Sequence, residues 1–112
     1  MSEIILEEEI EMSSITHMVT FTLYAGKDTA EAEAFLKESA EALAVIPGVE
    51  NFQVLRQVSA KNEFDYGFSM VFADQAAYDA YNEHPVHRKY VEERWEKEVS
   101  RFQEIDLINH AI

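Results

Sequence analysis

The chain lacks cysteine altogether, and it has only 3 glycines, 2 prolines and 1 tryptophan in 112 residues. Without thiols there are no disulfides, no thiolate nucleophile, no iron–sulfur cluster and no Cys-based zinc site. Basic residues are also scarce, 9 Lys and Arg against 22 Asp and Glu, for a formal net charge of -13. Nucleic acid and anionic lipid are poor partners for such a chain, because their phosphates must be neutralised by Lys and Arg. No apolar run reaches the length of a membrane span, and no basic stretch followed by an apolar one marks a signal peptide. No glycine-rich phosphate loop, nucleophile elbow or HExxH motif is present. A cytoplasmic protein without a nucleotide cofactor is expected.

What is there suits one domain with a real core, since 47% of residues are hydrophobic. Part of the acidity is local. The first twelve residues, MSEIILEEEIEM, hold five Glu and no Lys or Arg, and without them 17 acidic residues face 9 basic ones. Residues 1–14 are accordingly expected to be an acidic leader, a short helix or a flexible tail, ahead of a domain over 15–112.

The domain reads as six elements, the second helix being split at His84-Pro85. THMVTFTLY, 16–24, alternates with His17, Val19, Phe21 and Leu23 on one face and is a strand. Asp28 and Glu31 have capping-box spacing, and Ala32, Phe35 or Leu36, Ser39, Leu43 and Ile46 then recur at helical intervals up to Pro47-Gly48. VENFQVLRQV, 49–58, is a second strand. FDYGFSMVFA, 64–73, is a third, with Phe64, Tyr66, Phe68, Met70 and Phe72 on one face and small residues on the other. Asp74 caps QAAYDAYNE, Pro85 opens a further helix over VHRKYVEERWEKEVS, and RFQEIDLI, 101–108, is a last strand. The order β-α-β-β-α-β is the ferredoxin-like α+β plan, a four-stranded antiparallel sheet with helices on one face. An apolar bare face would be covered by pairing two such sheets, so a homodimer is expected.

The chemistry gathers in YNEHPVHRKY, 81–90. With Pro85 at the first helical position, His87, Val91 and Trp95 stand at i, i+4 and i+8 on one face. An apolar stripe turns His87 inward, and burial and the positive helix end both disfavour its charged form. A neutral imidazole can accept a proton, with Tyr81 nearby to orient it or to bond an oxyanion. The same spacing also fits a structural histidine bonded to backbone. A metal site would need His84 and His87 to share an ion across Pro85, with a third ligand from His17 or Glu92, and none is expected. The charge run EERWEKE, 92–98, reads as a solvated helix face.

THMVTFTL, the IPGV of 46–49, the FDYGFSMVFAD block, and Tyr81 with HPVH at 84–87 together resemble the stress-responsive A/B barrel (Dabb) family over about 16–108. The resemblance implies a protomer whose sheet packs on that of a second copy, closing a dimeric α+β barrel, and a pocket between helices and sheet. Most members have no assigned reaction. One, a plant polyketide cyclase, is a cofactor-free aldol enzyme. By that likeness the base falls on His87, its partner on Tyr81, and a pocket histidine on His17. A helix tyrosine of the cyclase falls on Ser39, which argues against carrying its substrate over. Ser39, Phe35, Tyr66, Val91 and Trp95 are the candidate ligand contacts. The resulting expectation is a small dimeric protein binding an apolar or aromatic ligand. The alternatives are a cofactor-free cyclase or monooxygenase using His87, and a purely structural module whose core is closed behind His87.

Overall fold

The computed structural model describes residues 12–112. Most of the 1–14 leader therefore lies outside the described residues. Strand β1, Ile15–Leu23, alternates between buried and half-buried residues, as its sequence pattern requires. Helix α1 spans Ala30–Leu43 and buries Ala32, Phe35, Leu36, Ser39 and Leu43. Strands β2, Glu50–Arg56, and β3, Tyr66–Phe72, follow. Helix α2 is Gln75–Glu83, capped by the Asp74 carboxylate on the Ala77 N–H. Helix α3, Pro85–Tyr90, runs on through a π-helical turn, Val91–Trp95, into the single turn α4, Glu96–Glu98. Strand β4, Val99–Leu107, starts two residues before its expected position.

The sheet has the order β2-β3-β1-β4, with every neighbouring pair antiparallel. This is the ferredoxin-like β-α-β-β-α-β architecture. Its helix-side face carries the core: Phe21, Phe35 and Phe72 are fully buried, with Phe68 and Met70 at 1% exposure. Each such side chain contributes about 1.5–3 kcal/mol on burial. Phe21 touches Phe35, Tyr66, Phe68 and Trp95 at ring-centroid distances of 5.9, 6.1, 4.8 and 5.1 Å.

The cap of α1 differs from the expected one. Thr29, not Asp28, is the N-cap, its Oγ1 accepting from the Ala32 N–H at 3.0 Å. Asp28 instead sits at φ 59 with its carboxylate on Arg56 at 2.5 Å, in a conformation that aspartate tolerates better than most residues. Among the described residues no helix is long and apolar enough to cross a membrane.

Candidate functional site

Among the described residues the helices leave most of β4 exposed. Its helix-side residues, Phe102, Glu104 and Asp106, are all exposed, and a cavity of about 350 Å³ lies between this end of the sheet and the α2–α3–π-turn arm. His17, Val19, Phe68, Met70, Phe102 and Glu104 form its floor. Tyr81 and Asn82 from the end of α2, His87 and Tyr90 from α3, and Val91, Trp95 and Glu96 form the opposing wall, with Leu43 of α1 at one side.

His17, Tyr81 and His87 thus meet at one hollow, with Val91 and Trp95 on the stripe predicted from His87. The stripe survives a change of helix pitch. The Glu96 N–H bonds the Val91 carbonyl five residues back, so the arm is widened by a π turn where it passes the cavity. Such turns are frequent at functional sites. Three other candidates stand elsewhere. Phe35 is packed in the core against Phe21 and against Trp95 from behind, at 6.2 Å. Tyr66 accepts the Asp28 N–H at 2.9 Å on the far side of the sheet's helix face. Ser39 bonds the Tyr90 hydroxyl at 2.6 Å, and it is Tyr90 that reaches the cavity wall. A serine at 39 leaves room for that phenol.

The two ring systems of the HPVH turn have separate tasks. His84 is the N-cap of α3, its Nδ1 accepting from the Val86 N–H at 3.1 Å. His87 Nδ1 faces the Asn82 carbonyl at 3.3 Å. A carbonyl can only accept, so Nδ1 carries the proton and Nε2 keeps a free lone pair. Burial lowers the His87 imidazole below its usual range, partly opposed by that carbonyl. Its ring lies 4.4 Å from that of Tyr81. Burial raises the Tyr81 phenol above its ordinary value, with Tyr90, Tyr78 and Glu104 adding to the effect.

His17 has a network that sequence reasoning missed. Its Nδ1 donates to the Asp106 carboxylate at 2.6 Å, and the Tyr78 hydroxyl donates to both Asp106 oxygens at 3.1 Å. Tyr78 also approaches Nδ1 at 3.0 Å. The antiparallel register makes His17 and Asp106 direct neighbours on adjacent strands. A carboxylate on Nδ1 fixes the tautomer and turns Nε2 away from it. Asp106 and Tyr78 also line a smaller hollow of about 280 Å³ with Ile15, Gln75 and Ile108. Among the described residues no group of three His, Asp or Glu side chains is arranged to hold a metal ion.

Fold and cavity together define a ferredoxin-like α+β protein with a hollow between its sheet and its second helical arm. The chain belongs to the stress responsive A/B barrel domain (Dabb) family, whose model matches residues 15–109. A Dabb family protein with a ferredoxin-like fold from Mesorhizobium loti is 44% identical, with a TM-score of 0.86 over 88% of this chain and 99% of that one. A dimeric ferredoxin-like protein of unknown function from Thermobifida fusca is 17% identical, with a TM-score of 0.69 over 87% and 92% of the two chains. A hydroxynitrile lyase from Passiflora edulis is 8% identical, with a TM-score of 0.76 over 90% and 97%. No curated protein matches the chain.

Proposed function

We propose that this chain is a homodimeric binding protein for a small apolar or aromatic molecule, held in the cavity between sheet and helices. The observation that carries this reading is the open hollow itself, of about 350 Å³, walled by Val19, Met70, Val91, Trp95 and Phe102 with a few polar groups converging on it. That size and mixture suit a compact ligand fixed by a small number of hydrogen bonds. A purely structural module would have closed this space behind His87. Binding is tested by calorimetric titration with a panel of small aromatic compounds. Saturable heat that disappears in a Val91→Trp variant, which fills the hollow, is the expected result. A panel with no binder at all would sink the reading.

Dimerisation is supported by the bare sheet face. Register places Met18 beside Ile105, and Val71 beside Thr16, which is itself beside Leu107. Ile105 and Leu107 are 50% and 46% exposed on β4, which stands at the edge of the sheet among the described residues. A second copy of this sheet covers those side chains and closes the barrel. Light scattering at micromolar concentration is expected to give twice the chain mass, and a monomer would contradict it.

A cofactor-free enzyme is the second reading, favoured by one specific feature: two imidazoles and the Tyr81 phenol converge on the same hollow, with His87 uncharged. Cyclase or monooxygenase chemistry would begin there by proton removal from a carbonyl or phenolic compound, by His87 Nε2, with Tyr81 and His17 bonding the resulting oxyanion. The hydroxynitrile lyase of the same fold is a precedent for catalysis on this architecture, not for this chain's substrate. Turnover that persists unchanged in His87→Ala would remove the base from the mechanism.

A further inference from the structure

The charged groups on the cavity wall are of one sign. Glu96 and Glu104 line it, and among the described residues no Lys or Arg does. Of the cations close to wall residues in sequence, Arg94 and Arg101 are held in ion pairs away from it. Arg94 is held by Glu98 at 2.5 Å and Glu38 at 2.8 Å, and Arg88 lies in an adjoining outer hollow alongside Glu92 and Glu96. Of the two imidazoles, His87 is kept neutral by burial and His17 already has a carboxylate partner. The field of Glu104 reaches inward, where it adds to the burial that raises the phenols of Tyr78 and Tyr81.

An anionic ligand group entering this hollow gives up its hydration, finds no Lys or Arg among the described wall residues, and approaches two carboxylates. A neutral phenol or carbonyl loses far less and can bond the Tyr81 hydroxyl, the Asn82 amide or His87 Nε2. Building on the ligand-binding reading above, we propose that Glu96 and Glu104 make the cavity select uncharged aromatic molecules over anionic ones of the same shape.

The test uses two probes that share one apolar body, N-phenyl-1-naphthylamine and its sulfonated analogue 8-anilinonaphthalene-1-sulfonate. Trp95 is the chain's single tryptophan and lines the cavity, so energy transfer from it reports occupancy. The neutral probe is expected to bind at least about tenfold more tightly, a gap that a single desolvated or repelled charge readily produces. Val91→Phe, which narrows the hollow, is expected to weaken both probes. In Glu96→Gln/Glu104→Gln the gap narrows by about threefold or more, through tighter binding of the sulfonate. Added salt narrows it in the unaltered protein as well, since both carboxylates are exposed. Equal affinities, or a gap indifferent to both the double substitution and salt, would overturn the selectivity and leave the cavity reading standing. Absence of energy transfer with either probe would overturn both.

Discussion

His17 and His87 look into the same hollow, but they are fixed by different means. His17 stands on the central strand β1, is 7% exposed, and is tied through Nδ1 to Asp106, which Tyr78 holds in turn. His87 stands at the start of a six-residue helix, is half-buried, and has a backbone carbonyl at 3.3 Å as its hydrogen-bond partner and Tyr81 as its ring neighbour. One corner is built by side-chain hydrogen bonds across strands. The other is built by aromatic packing and is open to the outer hollow. The difference teaches how each imidazole is set: the strand histidine by side-chain hydrogen bonds, the helix histidine by one backbone carbonyl and a ring contact.

Substitutions at the two corners should separate these modes of support. The largest loss is expected from Tyr81→Ala. The ring is 2% exposed and packs on Phe72 at 4.9 Å as well as on His87, so its removal leaves a cavity costing about 3–5 kcal/mol. Urea unfolding measures it, and a loss under about 1 kcal/mol would mean that packing does not hold the helix corner. Asp106→Ala comes next. It strips His17 and Tyr78 of a shared acceptor, but the carboxylate is 42% exposed and water can partly replace it. A loss of about 1–2 kcal/mol is expected, with the Nδ1-H tautomer of His17 no longer enforced. Nitrogen NMR of the imidazoles reads that directly, and an unchanged His17 signal would show that Asp106 does not set its tautomer.

The helix corner was legible in the sequence because its signal is local. Pro85 fixes a helix start, and His87, Val91 and Trp95 follow at spacings that one face must share. The strand corner was not legible, because His17 and Asp106 are 89 residues apart and meet only through the β1–β4 register. Tyr78 read as an ordinary residue of a short helix for the same reason. Inward direction was readable for Phe35, Ser39 and Tyr66, all of which are buried, but an inward side chain can face either packed core or open hollow. That choice depends on how far the α3 arm stands off the sheet, and the π turn that widens it has no mark in residue type. The Asp28 cap failed on a competition between adjacent residues. Thr29 takes the helix N–H while Asp28 is drawn to Arg56, a partner 28 positions away.

The smallest effect, and the one that sharpens the comparison most, concerns protons at His87. Its folded pKa lies below the usual histidine value of 6.5 because burial penalises the imidazolium. As pH falls through 6.5, the unfolded chain therefore takes up this proton before the folded one does. The contribution of His87 to stability is fully present above that pH and is lost as the pH falls through the lowered folded value. His87→Gln should change stability at pH 7.5 by about 0.5 kcal/mol or less, because the side chain is only half-buried. On acidification below 6.5 the unaltered protein should lose stability more steeply than the variant. Urea unfolding of both proteins at several pH values gives the two slopes. Parallel slopes would mean that the helix imidazole is charged as readily inside the fold as outside it, and that burial at this corner does nothing to keep the base uncharged.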